Sequence, residues 1–220
     1  MKAISLYSGG KDSTFALYMA LQQGMNIEKL VSINPLNKES VMYHVPNIEH
    51  TKTIAEAIGI PLDLFYLSDD PNDLEEALGK YDAEIVVSGA IKSEFQKTKL
   101  ERICTNLNKI SYTPLWYKDE HLLIEEIIKS GFEVYISAVS AEGLKEDFLG
   151  AKFDMQLLSK LVELNKKYRI NISGEGGEYE SIVLYAPFFK KRLVVKEYSR
   201  EWFGSSGIFN IKKLEILQDY

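Results

Sequence analysis

The sequence is poor in cysteine and contains no long apolar run. Cys104 is the single cysteine among 220 residues, which excludes an internal disulfide and a Cys-x-x-Cys site. No apolar stretch approaches the roughly 20 residues that cross a bilayer. Because Met1 and Lys2 lead directly into a strand-like apolar run, we expect no signal peptide. These absences predict a cytoplasmic protein that does not bind a membrane.

An excess of positive charge is also missing. The chain has 26 Lys and Arg residues against 32 Asp and Glu residues, a formal net charge of −6. We therefore expect no nucleic-acid binding through a generally basic surface. The composition is otherwise that of an ordinary globular protein, with 45% hydrophobic and 26% charged residues. The length allows one large domain or two small ones.

A glycine-containing turn, residues 8–13, lies between an apolar run and a helical pattern. Adjacent glycines let the backbone turn sharply and direct several N–H groups to one point. The helix that follows, from about Asp12, adds unpaired N–H donors and the positive end of its dipole. The alternative is a simple turn with incidental charges. We favour a phosphate-binding loop formed by Ser8, Gly9, Gly10, Lys11, Asp12 and Ser13.

This loop differs from the P-loop, in which Ser or Thr follows the lysine and binds magnesium. Asp12 stands at that position here. The loop instead resembles the pyrophosphate-binding loop of ATP pyrophosphatases of the adenine nucleotide alpha hydrolase type, which activate a substrate as an adenylate. The resemblance implies ATP and Mg²⁺ as cofactors, Lys11 and Asp12 as catalytic residues, and Asp12 as a magnesium ligand.

Strand and helix patterns alternate through the first half of the chain. Residues 3–7, 28–34, 62–67 and 83–89 have strand-like patterns. This alternation predicts a doubly wound parallel α/β sheet with helices on both faces. Ligands of such sheets bind at the carboxyl ends of the strands. We therefore expect nucleotide contacts from Asn34, Gly89, Ala90 and Ile91.

Three polar residues are predicted to cap helices. Asn47, Ser93 and Asp119 each precede a helical pattern, and all three residue types are favoured N-caps. Gln96, three residues after Ser93, completes the sequence of a capping box.

A break at residues 113–116 separates two predicted domains. Residues 1–112 are predicted to form the ATP-binding domain and residues 113–220 a smaller substrate-binding α+β domain. Strand patterns at residues 132–139, 182–186 and beyond 190 support the second domain.

An acidic glycine-rich segment occupies residues 174–181. Three glycines and three glutamates favour neither a helix nor a strand. One interpretation is a flexible acidic turn without a function in binding. Such a loop also suits a site where backbone approaches a ligand while carboxylates face a cation. We expect Glu175, Glu178 and Glu180 to be catalytic, without dividing their roles.

Five segments together resemble the diphthine–ammonia ligase family over nearly the whole chain. They are residues 8–13, 40–47, 89–102, 114–116 and 174–181. Departures are mild, with Tyr179 and Ser181 where phenylalanine and threonine are common, and with Lys92 and Phe95 in the middle segment.

The resemblance implies that ATP activates the carboxylate of diphthine on translation elongation factor 2 and that ammonium supplies the amide nitrogen. Elongation factor 2 would be the protein partner, and a homodimer is possible. The three glutamates would bind ammonium or accept its proton. The residues expected to bind substrate are Ser40, Tyr43, His44, Ser93, Gln96, Gly174, Gly176, Gly177 and Tyr179.

Three other functions compete. A tRNA-thiolating ATP pyrophosphatase shares the loop but generally carries sulfur on cysteines, and the single cysteine argues against it. A glutamine-dependent amidotransferase needs a glutaminase domain, which could be supplied only by a separate subunit. A non-enzymatic ATP or AMP sensor would keep the phosphate loop but does not need the acidic glycine-rich segment.

Overall fold

The computed structural model describes residues 1–36, 47–68 and 70–217, and their contacts divide the chain into two compact units. Within these ranges no helix has the length and apolar character needed to cross a bilayer. Unit 1 comprises Met1–Ser8, Asp12–Glu56 and Ile60–Tyr117, and unit 2 comprises Gly9–Lys11, Ala57–Gly59 and Lys118–Tyr220.

Unit 1 contains a five-stranded sheet with the order β3-β2-β1-β4-β5. Every neighbouring pair of strands is parallel. The chain moves outward from β1 to β3 and then returns to the other side of β1, so the predicted doubly wound sheet is confirmed. The short β5 was not predicted. The strands are β1 (Lys2–Leu6), β2 (Asn26–Pro35), β3 (Leu62–Leu67), β4 (Ile85–Val87) and β5 (Ile110–Tyr112).

Four helices connect these strands: α1 (Lys11–Gln22), α2 (Thr51–Ile58), α3 (Pro71–Gly79) and α4 (Glu94–Asn106). Right-handed crossovers in this strand order place α1 and α2 on one face of the sheet and α3 and α4 on the other. One buried cluster lies between the sheet and the helices α3 and α4, whose side chains pack against those of β1, β2 and β4. Its members include Leu74, Leu78, Leu100, Ile103, Cys104, Ile4, Val31 and Val86.

Two of the predicted helix caps are confirmed and one is wrong. The side chain of Ser93 accepts from the N–H of Gln96 at the start of α4. Asp119 accepts from the N–H of Leu122 at the next helix. Asn47 instead has a left-handed backbone, with φ of 65°, precedes a 3-10 turn and makes no side-chain cap hydrogen bond. The left-handed conformation replaces the extended one that a capping side chain needs.

Unit 2 is built on a four-stranded antiparallel sheet with the order β7-β6-β9-β8. The predicted α+β character is confirmed, but β7 starts at Tyr179, three residues before the predicted strand. The elements are α5 (Glu120–Lys129), β6 (Glu133–Val139), α6 (Met155–Tyr168), β7 (Tyr179–Tyr185), β8 (Leu193–Trp202) and β9 (Gly207–Ile216).

The helices of unit 2 each bury one apolar face. On α5, Leu123, Ile124 and Ile127 are buried, and on α6 the buried residues are Leu157, Leu158 and Leu161. Leu122 lies on the opposite side of α5 and is 61% exposed, while Leu123 is 0% exposed. Adjacent leucines on one helix therefore have opposite environments.

This contrast predicts different effects of the same substitution. Leu123→Ala should lower the free energy of unfolding by about 2–5 kcal/mol, since it removes buried methyl groups and leaves a cavity. Leu122→Ala is the matched control and should change it by about 0.5 kcal/mol or less. Urea denaturation followed by circular dichroism measures both. Equal losses would contradict the burial described for α5.

Candidate active site

The phosphate loop lies where the strand order of unit 1 reverses. Residue 8 follows β1 and Ser88 follows β4, and these strands are neighbours in the sheet. In doubly wound sheets, ligands bind outside the carboxyl ends of the strands at this point. Asn34 lies at the carboxyl end of β2, on the other side of β1. The fold thus brings three of the predicted nucleotide-binding segments to one edge of the sheet.

Two serines close the loop at its ends. The hydroxyl of Ser13 accepts from the N–H of Ser8 at 3.2 Å, and the two hydroxyl oxygens lie 3.1 Å apart. Behind the loop, the Ser32 hydroxyl donates to the carbonyl of Tyr7, and the Thr14 hydroxyl donates to the Tyr7 phenol oxygen. Burial raises the pKa of Tyr7, so this phenol stays neutral. Hydrogen bonds from Ser32 and Thr14 to Tyr7 therefore fix the backbone just before the loop.

Gly89, two residues after β4, allows this segment to touch the start of α1. A Cβ atom at this position would lie 2.7 Å from the carbonyl carbon of Asp12 and from the nitrogen of Ser13. A side chain here would displace the loop, so the close approach is between two protein segments. Ala90 and Ile91 are buried, and the Ile91 carbonyl accepts from the N–H of Tyr117. Their side chains pack the protein interior, so only their backbone atoms remain for a nucleotide.

Gly9 and Lys11, which belong to unit 2, contact β7 of the same unit. The N–H of Lys11 donates to the Ser181 hydroxyl at 3.1 Å. The N–H of Val183 donates to the Gly9 carbonyl at 2.9 Å. The Lys11 ammonium lies 5.2 Å from the centre of the Tyr179 ring. The predicted catalytic lysine is thus held by the strand that follows the acidic glycine-rich segment.

Glu178 binds the backbone of its own loop. Its carboxylate accepts from the N–H of Asn171 at 2.7 Å and from the N–H of Gly176 at 2.9 Å. A Cβ atom on Gly176 would lie 2.8 Å from this carboxylate. Gly174 has a φ of 75°, and a Cβ there would meet Tyr179 at 2.9 Å. These two glycines and Glu178 shape the loop, and Gly177, with a φ of 81°, has open space at its Cβ position.

Asn171 and Glu120 also hold this loop, and sequence analysis missed both. The side-chain oxygen of Asn171 accepts from the N–H and hydroxyl of Ser173. The Asn171 amide nitrogen donates to Glu120, whose other oxygen accepts from the N–H of Ile172. Asparagine outside a helix is a common turn residue, but nothing local signals its pairing with Glu120, 51 residues earlier.

The other two glutamates differ from Glu178 in position. Glu175 lies in the loop and Glu180 within β7, and both are partly exposed. Side chains alternate across a strand, so Glu180 points to the opposite face of β7 from Tyr179 and Ser181. Tyr179, predicted to bind substrate, is buried, and its hydroxyl donates to the carbonyl of Ile172.

The remaining predicted substrate residues fall in two groups. Ser40, Tyr43 and His44 lie outside the described residues. Ser93 caps α4, and Gln96 is exposed in its first turn. At the next residue, the Lys97 ammonium pairs with Glu101 at 2.6 Å and lies 4.8 Å from the centre of the Trp116 ring.

The donor set suits magnesium bound chiefly by nucleotide. Across residues 1–36, 47–68 and 70–217, no group of three His, Cys, Asp or Glu side chains is arranged to hold a metal. Mg²⁺ in nucleotide sites takes one or two carboxylates together with phosphate oxygens and water. Asp12, in the first turn of α1, offers a carboxylate of the required kind.

The Glu178 contacts predict a change in the loop when one acceptor oxygen is removed. In Glu178→Gln the amide nitrogen cannot accept, so one of the two backbone N–H groups loses its partner. The amide that loses its acceptor, that of Asn171 or of Gly176, should then exchange hydrogen at least about tenfold faster. Hydrogen exchange measured by NMR checks this, with the exposed Glu163 on α6 mutated to Gln as control. Unchanged exchange would show that Glu178 does not hold the loop.

Two family models match the chain. The diphthamide synthase N-terminal domain matches residues 1–109, and the diphthamide synthase C-terminal domain matches residues 119–217. A solved structure, that of a predicted subunit of tRNA methyltransferase from Methanocaldococcus jannaschii, covers 85% of this chain and 98% of its own. Its TM-score is 0.50 at 15% identity, so this likeness concerns the fold alone.

Curated relatives named diphthine–ammonia ligase align along the chain. The Danio rerio protein is 32% identical over 97% of this chain and 96% of its own length. The Homo sapiens protein is 32% identical over 89% and 83%, respectively. The Schizosaccharomyces pombe protein is 33% identical over all of this chain, which spans 40% of that longer relative. The chain therefore belongs to the diphthamide synthase family.

Proposed function

We propose that this protein converts diphthine on translation elongation factor 2 to diphthamide, using ATP and ammonium and releasing AMP and pyrophosphate. One observation carries the proposal. In a chain that matches both diphthamide synthase domains, the loop of residues 8–13 lies at the reversal point of a parallel sheet, with a helix N-terminus behind it. This is the arrangement that binds phosphate groups.

The first step forms a carboxyl adenylate. A carboxylate oxygen of diphthine attacks the α-phosphorus of ATP, and the bond from that phosphorus to the bridging oxygen of the β-phosphate breaks. Pyrophosphate leaves with the electron pair. The N–H groups of the loop, the N-terminus of α1 and the Lys11 ammonium stabilise the charge that develops on it. Asp12 would hold Mg²⁺, which supplies further charge neutralisation when bound.

The second step forms the amide. A carboxylate accepts one proton from ammonium, and the resulting ammonia attacks the activated carbonyl carbon. AMP leaves, and a second proton is lost from the nitrogen. Both oxygens of Glu178 already accept backbone N–H groups. Glu178 thereby shapes the loop, and the ammonium contact is assigned to the three glutamates together, Glu175, Glu178 and Glu180.

The decisive assay measures AMP and pyrophosphate from ATP, Mg²⁺ and ammonium, with and without diphthine-bearing elongation factor 2. Product and a new amide should appear only with the modified factor. Lys11→Gln and Asp12→Asn should each lower the rate by about a hundredfold or more, as loss of a charge-stabilising group does. Lys80→Gln and Asp82→Asn, at exposed side chains, are the charge-matched controls. Tight ATP binding without any product from the modified factor would reject the proposed function.

The thiolating alternative requires a reactive cysteine, and Cys104 is not one. It is buried in the cluster between α4 and the sheet, and burial raises the pKa of its thiol to about 11. The thiol is therefore protonated at neutral pH and closed to solvent, whereas sulfur transfer needs an accessible thiolate.

Cys104 should accordingly fail to react with Ellman's reagent at pH 7.5 in the folded protein and should react fully after denaturation in urea. Cys104→Ala should leave AMP formation with the modified factor unchanged. Rapid labelling of the native protein, together with loss of activity in Cys104→Ala, would restore the sulfur-transfer alternative.

A further inference from the structure

Strand β7 has one edge paired within its sheet, and its other edge contacts Gly9 and Lys11 of the same unit. In the order β7-β6-β9-β8 it is an outer strand whose sheet partner is β6. On its other edge, the N–H of Val183 donates to the Gly9 carbonyl. Two residues earlier, the side chain of Ser181 accepts from the N–H of Lys11. Gly9 and Lys11 thus face alternate residues of β7 in antiparallel order.

The Ser181 contact is buried. Lys11 is 3% exposed and Ser181 is 6% exposed, so water cannot replace the hydroxyl if it is lost. A buried N–H without an acceptor is costly, and the backbone around Lys11 would have to move to satisfy it. The position of this N–H is therefore coupled to the hydroxyl group of Ser181.

The side chain of Lys11 is oriented by Tyr179, which lies two residues before Ser181 on β7. The ammonium lies 5.2 Å from the ring centre, within the range of a cation–π interaction, which strengthens when water is excluded. The ring itself is fixed on two sides. Its hydroxyl donates to the carbonyl of Ile172 at 2.7 Å, and Phe153 packs against it with ring centres 5.7 Å apart.

The loop needs such external contacts. Gly9 has a φ of 80°, and glycine backbones have more accessible conformations than any other residue. The lysine side chain adds several rotatable bonds. Charge stabilisation in a transition state requires donors that are already in place, and a displacement of about 1 Å can lower a rate by about a hundredfold.

We propose that Tyr179 and Ser181 are positioning residues of the adenylation step, fixing the ammonium and the N–H of Lys11, respectively. The inference rests on the proposed function for its kinetic consequences but not for the contacts themselves. It also changes the expected role of Tyr179, from contact with substrate to support of the lysine. The two residues act through Lys11 and are not themselves catalytic.

Matched variants separate this role from general stability. Ser181→Ala removes the acceptor, and Ser181→Thr keeps a hydroxyl. Tyr179→Leu removes the ring, and Tyr179→Phe keeps it while losing the hydrogen bond to Ile172. Ser137→Ala is the control, since Ser137 is equally buried on the adjacent strand β6 and its hydroxyl has no hydrogen-bond partner among the described residues.

The kinetic test measures AMP formation at varied ATP. Ser181→Ala and Tyr179→Leu should lower kcat by about tenfold to a hundredfold, with a smaller change in the KM for ATP. Ser181→Thr and Tyr179→Phe should recover most of the rate, and Ser137→Ala should match the wild type. If Ser181→Ala also behaves like the wild type, the positioning role is wrong.

Two measurements without the elongation factor keep the inference testable if the wild type makes no AMP. Calorimetry with inorganic pyrophosphate and Mg²⁺ should give at least about tenfold weaker binding for Ser181→Ala than for Ser137→Ala. In protein carrying ¹³C-lysine, the Hε signals of Lys11 should be shifted upfield by the aromatic ring. That shift should persist in Tyr179→Phe and vanish in Tyr179→Leu.

These results distinguish the two hypotheses. An inactive wild type with the expected pyrophosphate affinities and NMR shifts would reject the ligase activity and keep the positioning role. An active wild type, with pyrophosphate affinities and NMR shifts unchanged in the variants, would keep the ligase activity and reject the positioning role. If Tyr179→Leu does not fold, the positioning role is tested with the Ser181 variants and with Tyr179→Phe.

Discussion

A loop that binds phosphate must hold its donors in place before the ligand arrives, and two adjacent glycines cannot do this alone. In this protein the constraint is met by neighbouring backbone and hydroxyl groups. Ser13 closes the loop onto Ser8, Gly89 lets the segment after β4 approach the start of α1, and β7 accepts and donates along residues 9–11. Most of these partners are small residues, because each contact requires close approach of main-chain atoms.

The acidic glycine-rich loop solves a related problem with side chains. A segment without helix or strand must still satisfy its N–H and carbonyl groups. Glu178 accepts two of the N–H groups, Glu120 accepts a third, and Asn171 accepts that of Ser173. Three glutamates that are equivalent in the sequence therefore become different in the structure, since the carboxylate of Glu178 supports the backbone of the loop.

Features that depend on neighbouring residues were predictable, and features that depend on distant ones were not. The β3 bounds, the loop after β1 and the caps at Ser93 and Asp119 follow from local pattern. Asn47 did not follow, because asparagine favours both an extended helix cap and a left-handed backbone, and the local pattern does not choose between them. The three residues of β5 are too few to show a period. The roles of Ser181 and Asn171 arise from partners 170 and 51 residues away, and sequence spacing alone carries no information about them.

The separation between Lys11 and Ser181 also has a consequence for synthesis of the chain. A ribosome completes all five strands of the parallel sheet by residue 112, about seventy residues before it makes β7. Contacts between residues so far apart form late, because the intervening chain must first be ordered. A nascent chain can therefore hold a finished sheet while its phosphate loop still lacks the strand that fixes Lys11. The contacts of Gly9 and Lys11 with β7 can therefore form only near the end of translation, when Val183 has left the ribosome.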